Sequence, residues 1–327
     1  MSTIATPLGR LSGLGVRPLG EGDDRIVVVG AGGWLGLATT ELLALLLGEA
    51  FERRVVLFGS QDRELDLRGG LSVRQRPLSQ LAELGAHPTW VLHLAFLTKD
   101  RAEQMAPDDY VAANRAISGQ VLEALPRIGA RRVFLPSSGA VYSAEDPAAS
   151  DAMRLYGRLK HDDELLFSGW AEREGGRAVI VRVFNIAGPY INKVQSYALA
   201  AFILDALKGE AIRIKARRRV YRSYVAIREL MSVVFGLLAE DEPGVVRFDT
   251  AGEEPLEMGQ IAEAVRDALG LAIPIERPPV GDDPPDVYVG DAAPYADLRR
   301  NRGVEAVAFL DQVRETAAYL AASPADA

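Results

Sequence analysis

The amino-acid sequence predicts an α/β fold built on a doubly wound parallel sheet, and two observations support this class. Short apolar runs alternate with segments of helical periodicity through the first half of the chain. The apolar runs are nearly continuous, as expected for strands that helices cover on both faces. Strands are predicted over residues 26–29, 55–58, 90–94, 133–136 and 179–183, with helices over 35–47, 110–125 and 153–172.

The second half of the chain departs from this alternation after Gly188-Pro189, and its proline content rises around residues 278–285. Apolar periodicity still predicts helices near 197–207, at 258–269 and at about 304–322. A short strand is predicted at 212–214. Residues 245–249 have the pattern of a late strand that returns to the main sheet.

Composition excludes several kinds of protein. The 327 residues carry a net charge of −8, which argues against a nucleic acid or an anionic membrane as the main partner. There are no cysteines and three histidines, so thiol chemistry is excluded and no metal site is predicted. Residues 1–24 lack the apolar core of a secretory signal, and the apolar run 197–204 is too short to span a bilayer. A cytoplasmic protein is expected.

A glycine-rich turn follows the first predicted strand and precedes the first predicted helix. Residues 30–36 read Gly-Ala-Gly-Gly-Trp-Leu-Gly. Glycine lets a pyrophosphate approach the backbone, and the helix N-terminus supplies free N–H groups and a favourable dipole. The sequence therefore predicts a Rossmann-type dinucleotide site formed by Gly30, Gly33, Trp34, Leu35 and Gly36.

The end of the second predicted strand bears on the choice of dinucleotide. NAD-binding proteins usually place a carboxylate there to bind the adenosine ribose. This chain has Phe58-Gly59-Ser60 with Arg63 close behind, and a hydroxyl and a guanidinium suit a 2′-phosphate. NADP(H) is therefore the preferred cofactor, bound by Ser60 and Arg63, with NAD(H) possible. The alternative is that Arg63 is a surface charge.

These features divide the chain into predicted regions. Residues 1–24 form an N-terminal extension, and residues 25–188 form the dinucleotide-binding domain with a return segment over 225–252. Residues 189–224 and 253–327 form a smaller, partly interleaved C-terminal α/β domain that binds the substrate.

Candidate catalytic residues lie downstream of the turn. Lys160, one of five lysines, follows Tyr156 by four residues, so the two share one face of a helix. A nearby ammonium stabilises a tyrosine phenolate and makes the tyrosine a usable acid–base group. Ser138 follows the predicted strand 133–136 and can hold the same substrate oxygen. The sequence predicts proton transfer by this trio.

The chain resembles the extended short-chain dehydrogenase/reductases, also called the NAD-dependent epimerase/dehydratase family. The landmarks that carry the resemblance, in chain order, are Gly30-x-x-Gly33-x-x-Gly36, His93-Leu94-Ala95, Asn114, Ser137-Ser138-Gly139-Ala140-Val141-Tyr142, Tyr156-x-x-x-Lys160, Arg182-x-Phe184-Asn185-x-x-Gly188-Pro189 and Arg222-Ser223-Tyr224-Val225.

The resemblance implies specific roles. Tyr156 is the acid/base, Lys160 its modulator and a ligand of the nicotinamide ribose, and Ser138 a substrate ligand. Leu94, Ala95 and Asn114 join the cofactor-binding residues, while Asn185 and Arg222 contact a nucleotide sugar, Arg222 at its diphosphate. Relatives commonly form homodimers through the helices that carry Asn114 and Tyr156, so a homodimer is expected.

The sequence also departs from the family pattern. Gly139 and Ala140 replace the Asp-Glu pair that follows the catalytic residue in the family's dehydratases, so a 4,6-dehydratase is not expected. A second diphosphate-binding arginine has no match, and Pro284-Pro285-Asp286 stands near its place. The basic residues Arg217–Arg219 are either a further diphosphate contact or an exposed hairpin face.

Three functional hypotheses follow. The first is an NADP(H)-dependent oxidoreductase that reduces a keto group of a nucleotide-activated sugar, a 4-ketoreductase with Tyr156 as proton donor. The second is an NAD(P)-dependent nucleotide-sugar epimerase, which uses the same three residues. The third is a non-catalytic dinucleotide-binding protein. Cofactor handling separates the first two, because a reductase exchanges NADPH whereas an epimerase retains its dinucleotide.

Overall fold

A computed structural model of the chain describes residues 9–322. The strands are β1 Arg25–Val29, β2 Val55–Gly59, β3 Arg63–Asp66, β4 Ser72–Pro77, β5 Thr89–His93, β6 Ala130–Ser138, β7 Arg177–Val183, β8 Asn185–Ala187, β9 Ile212–Arg213, β10 Val220–Arg222, β11 Tyr224–Ala226, β12 Gly244–Asp249, β13 Leu256–Glu257, β14 Ile275–Glu276 and β15 Asp286–Tyr288. The helices are α1 Val16–Glu21, α2 Trp34–Leu47, α3 Phe51–Arg54, α4 Lys99–Ala102, α5 Pro107–Arg127, α6 Asp151–Glu174, α7 Ala198–Leu207, α8 Ile227–Leu238, α9 Met258–Ala268, α10 Ala292–Asn301 and α11 Phe309–Ala322.

The central sheet confirms the predicted fold class. Its eight strands lie in the order β12-β7-β6-β5-β1-β2-β4-β3, and every neighbouring pair is parallel except β3 with β4. All five strands predicted in the first half are present in it. The late strand predicted at 245–249 is β12, and it returns to the sheet beside β7.

The chain order of the sheet reverses at β1. This strand lies between β5 and β2, and later strands extend the sheet outward on both sides of it. In open parallel sheets a crevice forms beyond the carboxyl ends of the strands at such a reversal, and ligands bind there. The turn 30–33 leaves β1 at this point.

Two strands at one edge of the sheet were not predicted. Most residues of β3 and β4 are polar or charged, and buried positions alternate with more exposed ones over only a few residues. Such a polar pair forms because β4 extends the sheet beside β2, while β3 folds back along β4. Both strands therefore depend on pairing with other strands, which local composition does not predict.

Helix α8 completes the core on one face of the sheet. All of its residues except Arg228 are buried, and it packs against α2, β6 and β7. The described part of the predicted N-terminal extension, residues 9–24, lies against this helix. Leu19 in α1 is fully buried, and the backbone N–H of Leu14 donates to the carbonyl oxygen of Arg302. Residues 1–8 lie outside the described residues.

The C-terminal elements surround a separate apolar cluster. Helices α7, α9 and α11 pack together, next to the small sheets β13-β10-β15 and β14-β9. Helix α11 begins at Phe309, five residues later than predicted. The preceding residues are not helical, and the backbone N–H of Val307 donates to Glu229 instead of to a helical carbonyl.

One stretch of the described residues, Trp34–Arg54, is long and apolar enough to cross a membrane by composition alone. Half of that stretch is buried inside the protein. Its first part is α2, which contacts β1 and α8. We interpret it as a core helix of the parallel sheet, whose apolar character reflects contact on more than one side.

Candidate active site

The glycine turn lies where the carboxyl ends of β1, β2 and β5 meet. The backbone N–H groups of Gly30 and Ala31 both donate to the carbonyl oxygen of Phe58. Gly30 has φ +90°, and a Cβ atom placed on it would lie 2.6 Å from the backbone nitrogen of Ala95. The predicted contact residues Leu94 and Ala95 are thus brought beside the turn. This narrow backbone turn forms a cradle that fits the pyrophosphate of a dinucleotide.

The first residues of α2 complete the cradle. Gly33 precedes the helix without a side-chain cap, so the first N–H groups of α2 and its positive dipole end face the turn. The indole of Trp34 contacts a neighbouring loop, because its Nε1 donates to the carbonyl oxygen of Pro189 at 2.8 Å. Its ring also contacts Tyr197. The side chain of Trp34 therefore holds the segment after β8, while its backbone and that of Leu35 remain at the helix start.

Arg63 reaches the glycine turn, as the NADP hypothesis requires. A Cβ atom placed on Gly32 would lie 2.0 Å from Nη2 of Arg63. The neighbouring acid Asp62 is paired with Arg74 at 2.6 Å and does not neutralise Arg63. Ser60 lies exposed just beyond the end of β2. Arg63 is itself exposed, so its role as a phosphate ligand and the alternative of a solvated surface charge both stay predictions.

Ser138 and Tyr156 are brought together at the end of β6. The Ser138 hydroxyl caps the next turn by accepting from the backbone N–H of Ala140 at 3.2 Å. Helix α6 approaches this turn closely, since a Cβ atom on Gly157 would lie 2.2 Å from the carbonyl oxygen of Ala140. Burial raises the pKa of Tyr156, and its hydrogen bond with Ser138 opposes that shift.

Lys160 lies one helical turn beyond Tyr156 and has an exposed fraction of 5%. Its Nζ donates to the carbonyl oxygen of Pro136 at 2.9 Å and lies 3.8 Å from the ring centre of Phe96. Burial lowers the pKa of Lys160 to about 8, although the charges of Asp163 and Glu164 oppose this shift. The stabilisation of the Tyr156 phenolate by Lys160 stays a prediction, because burial dominates the pKa of Tyr156.

Replacing Lys160 by Met is expected to stabilise the fold while weakening function. Lowering the pKa from 10.5 to about 8 corresponds to roughly 3 kcal/mol against the charged form. Loss of the hydrogen bond to Pro136 destabilises the variant by about 1 kcal/mol. K160M should therefore raise the free energy of unfolding by about 2 kcal/mol near neutral pH. Urea denaturation of K160M, beside the exposed control K208M, measures this.

The sign of the pH effect follows from the lowered pKa. Between about pH 8 and the ordinary value of 10.5 the unfolded chain binds more protons at this lysine than the folded chain does. The wild-type protein therefore gains stability across that window, and its difference from K160M should shrink. If K160M is less stable than wild type at neutral pH, burial does not disfavour the charged form of Lys160 as argued.

Asn114 has a supporting position. It is buried, its Oδ1 accepts from the backbone N–H of Leu97 at 2.8 Å, and its Nδ2 donates to the carbonyl oxygen of Tyr110. These bonds tie α5 to the loop that follows β5. The side chain thus orders the loop carrying Leu94 and Ala95, and its contact with a cofactor stays a prediction.

The two predicted substrate contacts are already engaged by the chain. Nδ2 of Asn185 donates to the carbonyl oxygens of Ser223 and Tyr288, at 3.3 Å and 3.2 Å. Nη1 and Nη2 of Arg222 each lie 3.2 Å from a carboxylate oxygen of Asp286. Arg218 approaches the same carboxylate at 3.5 Å. An anionic substrate group at Arg222 must therefore compete with Asp286.

Sequence reasoning missed Tyr288, which lies beside the candidate catalytic residue Ser138. Its hydroxyl lies 3.4 Å from Oγ of Ser138, and its ring packs on Phe184 with centres 4.7 Å apart. Strand β15 pairs with β10 so that Tyr288 is opposite Arg222. The proline-rich sequence around it shows no periodicity, so no local signal pointed to this residue.

A buried carboxylate supports the site from behind. Glu164 in α6 has no exposed side-chain surface and binds Arg182 through both oxygens, at 2.9 Å and 2.8 Å. It also accepts from the Ser137 hydroxyl at 2.6 Å and lies 3.2 Å from Arg247. This cluster joins α6 to β6, β7 and β12 directly beneath Ser138.

A parallel sheet with a glycine cradle at its switch point, and a Ser–Tyr–Lys group beside it, define a member of the extended short-chain dehydrogenase/reductase superfamily. Within that class, residues 26–247 match the NAD dependent epimerase/dehydratase family, and the chain belongs to this family.

Relatives within the family act on nucleotide sugars, by their names. A probable UDP-glucuronate 4-epimerase of Rhizobium meliloti (strain 1021) is 26% identical over 219 residues, 59% of this chain and 63% of that protein. UDP-glucuronic acid decarboxylase 5 of Arabidopsis thaliana is 26% identical over 163 residues, 46% of each chain. The chain therefore spans less than two thirds of the length of either relative.

Solved structures share the fold. A UDP-N-acetylglucosamine 4-epimerase from Methanobrevibacter ruminantium M1 superimposes with a TM-score of 0.68 at 20% identity, covering 91% of this chain and 98% of that one. A UDP-glucose 4-epimerase from Thermotoga maritima gives 0.68 at 18% identity, covering 90% and 98%. At these identities the similarity concerns the architecture.

Proposed function

We propose that the protein is a nucleotide-sugar epimerase that works with a bound nicotinamide dinucleotide. The observation that carries this proposal is that helix α6, with Tyr156 and Lys160, packs closely on the turn after Ser138 at the end of β6. Nζ of Lys160 donates there to the carbonyl oxygen of Pro136, and a Cβ atom on Gly157 would lie 2.2 Å from the carbonyl oxygen of Ala140. The names of the relatives favour an epimerase over the ketoreductase that the sequence first suggested.

The chemistry assigned to the chain is proton transfer and positioning. The dinucleotide, when bound, accepts a hydride from a sugar carbon and returns it. Tyr156 takes the proton of the sugar hydroxyl and gives it back, and Ser138 holds the same oxygen by a hydrogen bond. Lys160, as a buried ammonium, favours negative charge on its neighbours. Gly139 and Ala140 supply no acid for elimination, consistent with an epimerase and not a 4,6-dehydratase.

A nucleotide-sugar 4-ketoreductase is the second candidate, and one observation favours it. The guanidinium of Arg63 lies against the glycine turn, and the end of β2 carries no carboxylate. This combination suits NADP(H), the cofactor that a reductase consumes and replaces. The same dinucleotide chemistry serves both candidates, so cofactor exchange is the property that separates them.

The test begins with the purified protein as isolated. Its bound dinucleotide is released by denaturation and identified by mass spectrometry, and the untreated protein is incubated with UDP-glucose, UDP-glucuronate and UDP-N-acetylglucosamine. Interconversion of epimers without added dinucleotide supports the proposal. Net reduction of a keto-sugar that requires added NADPH supports the ketoreductase instead. Dinucleotide binding without any conversion supports the non-catalytic hypothesis.

Replacing Asp286 by Asn is expected to strengthen UDP binding. The Asp286 carboxylate occupies both terminal nitrogens of the Arg222 guanidinium, Nη1 and Nη2, and a diphosphate must displace it. Loss of a partly exposed ion pair of about 1 kcal/mol should lower the Kd for UDP about fivefold. Calorimetric titration with UDP measures this, and D283N in the exposed loop just before β15 is the control. Equal affinity in D286N and wild type would mean that the diphosphate does not bind at Arg222.

A further inference from the structure

A buried amide from the edge of the sheet lies where the adenosine end of a dinucleotide must pass. Gln75 in β4 has an exposed fraction of 2%. Its Oε1 accepts from the backbone N–H of Gly32 at 3.0 Å, and its Nε2 donates to the carbonyl oxygen of Gln61 at 2.9 Å. This side chain therefore joins the glycine turn to the loop that follows β2.

The Gln75 side chain also fills the space that a side chain at Gly59, the last residue of β2, would occupy. A Cβ atom placed on Gly59 would lie 2.2 Å from Cδ of Gln75 and 2.3 Å from both its Nε2 and its Oε1. NAD-binding proteins carry their ribose-binding carboxylate at this end of the second strand. Here Gly59 and Gln75 are complementary, because any side chain at position 59 would collide with the amide.

The charges around the Gln75 amide favour an anionic ligand group. Arg63 is opposite Gln75 in the pairing of β3 with β4, and its guanidinium lies against Gly32. Among residues 9–322, Arg63 has no ion-pair partner within 4.0 Å, since the adjacent Asp62 binds Arg74. The ribose end of the site thus presents a neutral amide and a free guanidinium, where a carboxylate would repel a phosphate.

We infer that Gln75 determines which dinucleotide the protein takes, and that it admits an adenosine ribose carrying a 2′-phosphate. This inference rests on the proposed function, because it requires that the glycine turn bind a nicotinamide dinucleotide. Gln75 holds the loop after β2 against the turn, keeps the strand end free of negative charge, and leaves Arg63 to bind the phosphate bidentately.

The test replaces Gln75 by Glu and measures binding directly. Protein freed of nucleotide is titrated calorimetrically with NADP⁺ and NAD⁺, and Q120E on the exposed face of α5 adds the same charge elsewhere. A carboxylate at position 75 places a like charge near the phosphate and draws Arg63 away. NADP⁺ affinity should fall at least about tenfold in Q75E, and NAD⁺ affinity should change by less than about threefold. Equal changes for the two ligands overturn the inference.

A double variant guards against a local folding defect. G59D/Q75A moves the carboxylate to the strand end and removes the amide that blocks it, so it should prefer NAD⁺ by at least about tenfold. Thermal unfolding without ligand verifies that each variant is folded. A folded double variant that still prefers NADP⁺ overturns the inference. If the wild-type protein binds neither NADP⁺ nor NAD⁺, both the proposed function and the inference are wrong. If the variants bind dinucleotide with the same NADP⁺/NAD⁺ preference as wild type, only the inference about Gln75 is wrong.

Discussion

Replacement of Tyr156 by Phe is expected to abolish sugar conversion while leaving dinucleotide binding intact. The phenol is the proposed proton-transfer group, and removing general acid–base catalysis costs about 10²- to 10⁴-fold in rate. The ring of Phe keeps the edge-on contact with Phe96, whose centre lies 5.8 Å away, so the site should retain its shape. The measurement is the turnover number at saturating UDP-sugar, together with the Kd for the dinucleotide.

The matched control is Tyr295→Phe, which removes a buried hydroxyl from α10. Tyr295 packs on Phe248, away from Ser138, and should retain wild-type turnover. The companion variant Ser138→Ala should lower turnover with little effect on dinucleotide affinity. A Tyr156→Phe protein that keeps more than about a tenth of the wild-type rate would exclude Tyr156 as the proton-transfer group.

Replacement of Glu164 by Ala should strongly destabilise the fold. Its carboxylate is fully buried and binds Arg182 through both oxygens, so its removal leaves a guanidinium without its partner. Breaking such a buried pair costs about 3–5 kcal/mol. The Ser137 hydroxyl also loses its acceptor, which disturbs the strand end that carries Ser138. Denaturant unfolding measures the loss, with the exposed Glu172→Ala on the same helix as control.

Lowering the pH should weaken the Glu164–Arg182 ion pair in the wild-type protein. Burial by itself raises the pKa of Glu164, but hydrogen bonds from Arg182 and Ser137 outweigh it, and the net pKa lies below the ordinary 4.5. A carboxyl with a lowered pKa contributes stability above its unfolded value and loses it as the pH falls through the folded value. The stability difference between wild type and E164A should therefore narrow below about pH 4.5. A constant difference down to acid unfolding would contradict the ion pair as its source.

Local patterns predicted the central part of the fold. The five buried strands of the first half are continuous apolar runs, and the long helices α5 and α6 follow their apolar periodicity. The glycine turn and the Tyr-x-x-x-Lys spacing are local as well, because each depends on residues within one turn or one helix. The superfamily was recognised from these motifs and their order.

Other features depend on contacts between distant segments. The strands β3 and β4 exist because they pair with β2 and with each other, and α11 begins late because Glu229 binds the backbone of Val307. The partner of the Trp34 indole was also not evident from local sequence, since Pro189 lies far along the chain. Neither Tyr288 nor Gln75 carries a local signal, and both enter the site through strand pairing.

The sequence by itself determined the parallel α/β class, the dinucleotide turn and the identity of the three candidate catalytic residues, because backbone geometry and helical spacing act over a few residues. Tertiary structure alone decided what surrounds them. It placed Asp286 on Arg222, Tyr288 beside Ser138 and Gln75 in the space above Gly59, through side chains that meet across strands far apart in sequence. Such meetings depend on sheet order and register, which arise when the whole core packs.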